Sequence, residues 1–359
     1  MDKIFGLLAP VLITALIFLL NALLPGRWVT GYITGPDSKE KLRYHLNGIL
    51  VFIVTILSWF LTGYFKILPY DWLYTYRWYG LAGACILGVI FTLSVVLPYS
   101  NVRKSIPADL FFGRIENLQI LKGRVDIKMW LYLTGATMLE LNVLGFTAHH
   151  LILYGEMASA GFILSAVLLT YFIVDYLIYE EVHLYTYDLF AERIGFKLGW
   201  GCLVFYPYFY SIPLWATADL SFSRTPVWLL IIYVFVFLSG WVLSRGANLQ
   251  KFYFKKYPGK RFFTIKPEII TDGRSSLLIS GFWGFSRHIN YLGEILMATG
   301  IVLCTGYPML IWPWLYPLYY VILLFSRQHD DDRRCALKYG DLWKTYVKRV
   351  PHRIIPFIY

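Results

Sequence analysis

Long apolar runs, each close to the length of a helix that crosses a bilayer, constrain this 359-residue chain more than any other feature. The first run covers residues 4–24 and contains no charged side chain. A helix needs about 20 such residues to cross the hydrocarbon core. Because 58% of the residues are hydrophobic and only 15% are charged, the chain lacks the charge to cover a soluble surface. The pattern predicts an all-α, polytopic integral membrane protein.

Hydropathy divides the chain into apolar segments that serve as candidate transmembrane spans. The first lacks a small-residue cleavage site, and its length suits a permanent span better than a signal peptide. The segment 276–290 could be re-entrant or split, so the sequence predicts a bundle of nine or ten transmembrane helices in one domain, 1–359. The candidate spans are 4–24, 46–65, 78–98, 129–151, 157–179, 197–217, 226–244, and a broken pair over 276–306 and 308–325.

The distribution of Lys and Arg predicts the orientation of these spans. If every span crosses, 28 of the 33 basic residues fall in loops on one side and only Lys3, Lys66, Arg77 and Arg224 fall on the other. By the positive-inside rule the basic side is cytoplasmic. The net charge of +11 is therefore an orientation signal, and no nucleic-acid partner is predicted. The same bias does not distinguish an endoplasmic reticulum membrane from a bacterial inner membrane.

One polar stretch lies at the mouth of an apolar segment, in Gly281–Glu294. Its glycines allow close backbone approach. Its Arg, His, Asn and Glu side chains would be costly against lipid, so they should face protein or a water-filled cavity. Ionisable residues at this depth indicate a functional site by default, and the alternative is a helix-packing corner.

Two further stretches have the composition of an anion or nucleotide site. Lys251 and Lys255 are four residues apart, so on a helix they share one face and suit a phosphate group. The stretch 327–340 mixes cations, acids and aromatic residues, as a nucleotide clamp does. A lysine pair beside a span and a solvated charged turn are the ordinary alternatives.

Acidic residues at or near membrane depth are candidate proton donors, because burial raises the pKa of a carboxyl group. The four cysteines show no paired spacing, and no HExxH is present, so neither a disulfide nor a metal site is predicted. Without a GxGxxG motif or a P-loop, a dinucleotide would be held outside a Rossmann fold. The candidate donors are Glu140, Asp175, Glu180, Glu181 and Asp188.

These segments together resemble the sterol reductase family, which includes the sterol Δ14-, Δ7- and Δ24(28)-reductases and the sterol-reductase part of the lamin B receptor. The matching stretches are LLISGFWGFSRHINYLGE (277–294), DDDRRCALKYGDLWKTYVKRVPHRIIPFIY (330–359) and NLQKFYFK (248–255). Weaker matches lie at 44–48, 111–117, 184–188 and 206–211. The likeness spans nearly the whole chain.

The resemblance implies a fold of about ten transmembrane helices, NADPH as the cofactor and a sterol as the substrate within the membrane lipid. It places the spans and a sterol-facing region in 1–244 and the NADPH-binding region in 245–359. The cofactor contacts that it implies are Lys251, Lys255, Leu278, Trp283, Asn290, Tyr291, Asp331, Cys335, Ala336, Leu337, Lys338, Tyr339 and Tyr346.

The sequence departs from the family pattern at several positions. Asp330 stands where an Arg is usual, and Cys202 stands where an Asp is typical. Pro213 replaces a usual Gln, and Tyr132 and Thr134 replace a frequent Glu and Arg. These departures leave open the proton donor and the double bond that is reduced.

The resulting hypothesis is an oxidoreductase that reduces a sterol carbon–carbon double bond, Δ14, Δ7 or Δ24(28). An acid, Asp188 or Glu180, protonates the alkene directly or through a Tyr or water, and NADPH supplies hydride from the cytoplasmic side. The alternatives are a membrane methyltransferase that uses S-adenosylmethionine, of the isoprenylcysteine carboxyl methyltransferase type, and a non-catalytic sterol-binding protein. The oligomeric state is left open.

Overall fold

The computed structural model describes residues 2–35, 40–99, 105–221, 223 and 225–359. Its contacts divide the chain into two units, residues 1–222 (unit 1) and residues 223–359 (unit 2). Both are mostly helical, and each also has short antiparallel hairpins. Helix α12 of unit 2 (Val227–Lys256) runs unbroken through position 244, where the sequence predicted a change of region. That the chain is a single domain stays a prediction.

Unit 1 contains eleven α-helices and four short strands among its described residues. Strands β1 and β2 form one hairpin and β3 and β4 another. A 3₁₀ turn spans Gly155–Met157 and a π-helix spans Gly201–Phe209. The bounds are α1 Asp2–Leu23, β1 Arg27–Thr34, β2 Lys41–Leu46, α2 Gly48–Tyr64, α3 Trp72–Thr75, α4 Arg77–Val96, α5 Ile106–Phe112, β3 Gln119–Ile120, β4 Val125–Asp126, α6 Ile127–Tyr154, α7 Ala160–Ile178, α8 Glu180–His183, α9 Tyr187–Phe190, α10 Phe196–Trp200 and α11 Ile212–Thr217.

Unit 2 contains five α-helices and one hairpin among its described residues. Strands β5 and β6 pair from Ile269 with Leu278 to Thr271 with Ser276. The bounds are α12 Val227–Lys256, β5 Ile269–Thr271, β6 Ser276–Leu278, α13 Phe282–Phe285, α14 Ile289–Cys304, α15 Ile311–Tyr339 and α16 Asp341–Arg349.

Helix α6 occupies the interior of unit 1. Asp126 begins it, because one carboxylate oxygen accepts hydrogen bonds from the backbone N–H groups of Lys128 and Met129, both at 3.1 Å. Most residues of the helix from Ile127 to Phe146 are buried, on every face. A helix that is buried all round belongs to the core of a bundle, so α6 is the element around which unit 1 packs.

In unit 2, two glycines bring α12 and α14 into close contact. A side chain at Gly240 would collide with the backbone of Gly293, and one at Gly293 would collide with the backbone of Gly240. Small residues at facing positions let helix backbones approach closely inside a membrane. This contact fixes the start of α14, which carries several of the predicted site residues.

The predicted apolar segments coincide with helices, and the chain is a mostly helical membrane protein. Among the described residues, four helices are long and apolar enough to cross a bilayer, namely α1, α4, α7 and α12, and α2 and α14 are shorter apolar helices. The predicted span 197–217 is built from α10, the π-helix and α11 rather than from one regular helix. A total of nine or ten spans stays a prediction, and Arg224, used in the orientation count, lies outside the described residues.

Candidate functional site

Three cations of unit 2, two on α12 and one on α15, lie close to one another. Lys251 and Lys255 lie on the last turns of α12, and Lys338 lies on the last turn of α15. Lys251, Lys338 and Cys335 are all close enough to Lys255 to interact with it electrostatically. Like charges this close repel one another, so a bound anion would lower the energy of the group. The predicted pair 251 and 255 is thus joined by a third predicted residue, Lys338.

Trp283 joins this cation group to the rest of the site. The ammonium nitrogen of Lys251 lies 5.3 Å from the centre of the indole ring. The indole Nε1–H donates to the carbonyl of Ala247 at 2.9 Å, and the Tyr346 hydroxyl donates to the carbonyl of Trp283 at 3.3 Å. Trp283 and Tyr346, both predicted from sequence, are therefore connected directly.

At the start of α14, Asn290 and Tyr291 lie beside the acidic stretch of α15. The Tyr291 hydroxyl donates to Asp331 Oδ2 at 3.0 Å, and its ring stacks on His288 with centres 4.9 Å apart. Asn290 Nδ2 donates to Asn248 Oδ1 at 3.4 Å, while Asn290 Oδ1 is buried and has no hydrogen-bond partner in the described part of the chain. An orphaned buried acceptor is costly unless a ligand or water satisfies it. The side chain is therefore oriented for a further donor.

Asp332 is the centre of an ion-pair cluster next to Asp331. Arg287 and Arg353 each lie 3.7 Å from its carboxylate, and His288 Nε2 lies 3.8 Å from it. Burial by itself raises the pKa of Asp332, but the contacts with His288, Arg287 and Arg353 outweigh burial and hold that pKa below its ordinary value. Asp332 therefore stays ionised and neutralises the cations around it.

The chain's last segment anchors this cluster. The backbone N–H of Arg287 donates to the His352 carbonyl at 3.0 Å, and the N–H of His288 donates to the Arg353 carbonyl at 2.8 Å. The Ser286 hydroxyl donates to the carbonyl of Ile354, which is fully buried. The tail thus holds the entry to α14 in place.

The remaining predicted cofactor residues divide into two groups. Cys335 and Tyr339 pack against the cluster that contains Tyr346, and burial raises the pKa of the Cys335 thiol to about 11. Leu278 is buried in β6. By contrast, Ala336 is exposed and the Leu337 side chain is 83% exposed, so neither joins these contacts.

In unit 1, Glu180 is the first residue of α8, and its side chain lies beside Gly48, the first residue of α2. Its Oε2 accepts a hydrogen bond from the backbone N–H of Gly48 at 3.1 Å, and Arg27 pairs with the neighbouring Glu181 at 2.9 Å. Burial raises the pKa of Glu180 to about 7, against the opposing effects of the Gly48 N–H and the Arg27 charge. This carboxyl group can hold and release a proton near neutral pH.

The second predicted donor, Asp188, lies on α9. It interacts electrostatically with Tyr176, Cys202 and Lys128. Tyr176 also interacts with Glu180, and its ring stacks on His183 with centres 3.8 Å apart. Tyr176 is thus within electrostatic range of both candidate acids.

A family model matches residues 3–359, and its description is the ergosterol biosynthesis ERG4/ERG24 family. The chain belongs to this family. The sequence-based prediction of sterol reductase membership is therefore confirmed over nearly the whole chain.

Three curated relatives place this ERG4/ERG24 member among sterol reductases. It is 30% identical to the Delta(14)-sterol reductase of Arabidopsis thaliana, with all of both chains covered. It is 32% identical to the Delta(14)-sterol reductase of Methylotuvimicrobium alcaliphilum, over 93% of this chain and 79% of that protein. It is 27% identical to the 7-dehydrocholesterol reductase of Xenopus laevis, over 93% of this chain and 75% of that one.

The departures noted in the sequence of this ERG4/ERG24 member concentrate in unit 1. Cys202 is buried in the π-helix within electrostatic reach of Asp188, and the Tyr132 and Tyr176 ring centres are 6.2 Å apart. Pro213 begins α11. In unit 2, Asp330 pairs with Arg333 and Arg334 on the exposed face of α15. Thr134 lies on α6, so four of the five positions are in the unit that contains the candidate acids.

Sequence reasoning assigned no role to Arg287, His288, Asp332 or Arg353. The first two lie in the polar stretch 281–294, so the cost of placing their charges against lipid was the available signal. Arg353 gave no signal of its own, because its place in the cluster depends on how the tail folds back.

Proposed function

We propose that this protein uses NADPH to reduce a carbon–carbon double bond of a sterol, Δ14, Δ7 or Δ24(28). The observation that carries the proposal is the convergence of Lys251, Lys255 and Lys338 beside Trp283 in unit 2. Membership in a family with Delta(14)-sterol and 7-dehydrocholesterol reductases supports the substrate class.

The residues of unit 2 fit a phosphorylated dinucleotide. Cations bind phosphate, and several in one place favour a group that carries more than one negative charge. Asn290 Oδ1 needs a donor that the described part of the protein does not supply, and NADPH has amide and ribose donors. We assign the phosphates of NADPH to Lys251, Lys255 and Lys338. We assign its amide and ribose groups to Asn290 and Tyr291.

When bound, NADPH supplies the hydride. Unit 1 supplies the proton, for which we favour Asp188 over Glu180. One carboxylate oxygen of Glu180 accepts a hydrogen bond from the first residue of α2, so this oxygen already has a structural role. Asp188 interacts with Tyr176, whose hydroxyl can pass a proton from a carboxyl group to an apolar substrate. The aromatic rings around Tyr176 would also stabilise a developing carbocation.

The deciding experiment is NADPH oxidation by the detergent-purified protein with Δ7, Δ14, Δ24 and Δ24(28) sterols, with products identified by mass spectrometry. We expect one sterol to gain two hydrogen atoms. A Lys251→Ala variant should bind NADPH more weakly, whereas Lys260→Ala, in the loop after α12, should keep the original affinity. If NADPH fails to raise the melting temperature and S-adenosylmethionine raises it, the methyltransferase alternative replaces the reductase.

A sterol that binds without any NADPH consumption would favour the non-catalytic alternative.

The proposed location is a membrane, with the cofactor site on the cytoplasmic side. An assay in sealed vesicles tests that orientation, since only NADPH added to the cytoplasmic face should be consumed.

A further inference from the structure

Helix α6 carries a row of buried polar atoms that have no hydrogen-bond partner among the residues that the structure describes. The atoms are Trp130 Nε1, Thr134 Oγ1, Thr137 Oγ1 and Glu140 Oε2. These four side chains are between 0% and 7% exposed. Buried polar groups in proteins are almost always hydrogen-bonded, so four orphans on one helix require a common explanation.

The spacing of these residues places them on adjacent turns of the same helix. Thr134 follows Trp130 by four residues, and Thr137 and Glu140 follow at intervals of three. Residues three or four apart are neighbours on a helix surface. At 1.5 Å per residue, the row extends about 15 Å along the helix axis. The orphan atoms therefore form a line rather than four isolated defects.

The two threonines differ from others in the molecule. Thr147, later in the same helix, donates to the carbonyl of Val143, four residues back, at 2.7 Å, and Thr55 bonds to Val51 in the same way at 2.8 Å. This local bond is the usual solution for a threonine inside a helix. Thr134 and Thr137 do not make it, so their hydroxyls are available to another partner.

Glu140 lies at the far end of the row. The Thr170 hydroxyl donates to its Oε1 at 2.9 Å, and no ion pair with it is recorded among the described residues. Glu140 is 2% exposed, and an ionised carboxylate held by one neutral hydroxyl in a protein interior is very costly, whereas a neutral carboxylic acid is much less so. A protonated Oε2 would itself be a donor that needs an acceptor.

The other end of the row is also polar. The Trp130 ring contacts Phe18 of α1, with centres 5.7 Å apart, and Asn21 follows Phe18 by three residues. Asn21 Nδ2 donates to Asn47 Oδ1 at 2.6 Å, and His45, two residues before Asn47, has a buried Nδ1 with no partner among the described residues. The row therefore leads from a polar cluster near the beginning of α6 toward Glu140.

We propose that a file of bound water molecules runs along α6 past Trp130, Thr134 and Thr137 and ends at Glu140, which holds a proton. Water fits because it both donates and accepts, and a buried water typically makes about three hydrogen bonds. A sterol body would not satisfy such a row, because its polar atoms are few. If the proposed reduction holds, this path gives unit 1 a supply of the proton that the reaction consumes.

Infrared spectroscopy of the full-length protein in detergent tests the proposal without any turnover, so its failure is distinguishable from failure of the proposed function. A difference spectrum between the protein and its Glu140→Gln variant should show the carbonyl stretch of one protonated carboxylic acid. In D₂O that band should shift promptly, because the water file connects Glu140 to solvent.

Two threonine variants serve as a matched pair. Thr137→Val removes one hydroxyl from the row and should slow the deuterium shift about fivefold, the factor that corresponds to about 1 kcal/mol for one hydrogen bond. Thr147→Val loses only a local bond within the helix and should leave the rate unchanged. These variants retain Glu140, so they test the path even if Glu140→Gln does not fold.

Three results would overturn the proposal. The first is a difference spectrum without a carboxylic acid band, which means that Glu140 is ionised. The second is a band that does not shift in D₂O, which means that the row is dry. The third is an equal exchange rate in Thr137→Val and Thr147→Val.

Discussion

The candidate cofactor site of unit 2 and the candidate proton-donor region of unit 1 are assembled in different ways. The unit 2 site comes from three stretches, 248–255, 277–294 and 330–359, that carry recognisable motifs. The unit 1 region joins residues that are far apart in sequence, such as Gly48 and Glu180, which are 132 positions apart. A sequence motif can therefore locate a site that is built from a few contiguous segments. It does not identify a catalytic acid whose neighbours come from segments far apart in the sequence.

Substitution of the candidate proton donors in unit 1 should have the largest effect on activity. Asp188→Asn should lower turnover by a factor of about 10²–10⁴, the usual contribution of general acid catalysis, with little change in NADPH affinity. Glu180→Gln should have a smaller effect, because a glutamine can still accept the Gly48 N–H. Turnover is measured on the sterol that the panel identifies. Full turnover in both variants would remove both residues as donors.

The next effect tests the unit 2 site. Lys251→Ala should raise the Kd of NADPH about 10- to 100-fold, because a hydrogen bond that involves a charged group contributes about 1.5–3 kcal/mol. Titration by tryptophan fluorescence measures it. Lys260, whose ammonium lies 5.5 Å from the centre of the Tyr257 ring, provides the matched control. An equal loss in Lys260→Ala would mean that the binding depends on general positive charge rather than on the site.

A smaller effect tests how Asp331 is held. Tyr291→Phe removes the hydroxyl that donates to Asp331 at 3.0 Å, while His288 Nδ1 remains 3.8 Å from the same carboxylate. We expect the Kd of NADPH to rise about fivefold, which corresponds to about 1 kcal/mol for one hydrogen bond. Calorimetry measures the affinity. Tyr257→Phe, on the same unit, should leave the affinity unchanged, and an unchanged Tyr291→Phe enzyme would mean that the hydroxyl does not act on the site.

Much of the fold was predictable because apolar runs of bilayer length have few alternatives. The boundaries were less predictable. The segment 197–217 has the composition of one span but contains Pro207, and in the structure a π-helix occupies its centre. Proline cannot donate the regular backbone hydrogen bond, so the helix rearranges around it. Hydropathy does not record that rearrangement.

The candidate site shows the same limit at the level of single residues. The spacing of Lys251 and Lys255 and the family resemblance of Lys338 predict these residues as cofactor contacts, and the three lie close together; that they bind the cofactor stays a prediction. Leu337 was predicted with them but is 83% exposed, because consecutive positions on a helix point in different directions. Arg353 was not predicted, since its place beside Asp332 depends on the tail folding back onto residues 286–288.

The smallest effect concerns the pH dependence of stability in unit 1. The pKa of Glu180 is raised from 4.5 to about 7 in the folded protein, so between these values the folded state keeps a proton that the unfolded state has lost. Stability should therefore fall as the pH rises through this window, by an amount on the order of 1–3 kcal/mol. Melting temperatures measured in detergent across the window should show this slope.

Glu180→Gln should flatten that slope, because glutamine does not titrate. Loss of the Glu180 carboxylate beside the first residue of α2 changes stability by the same amount at every pH. It therefore offsets the curve of stability against pH without changing its slope. Glu181→Gln is the matched control, since the Arg27–Glu181 pair has an Arg27 side chain that is 68% exposed and is screened by solvent. A Glu180→Gln protein that retains the slope would assign it to another group. The hydrogen bond between Glu180 and Gly48 would then be structural only. Asp188 would be the one remaining favoured proton donor of unit 1.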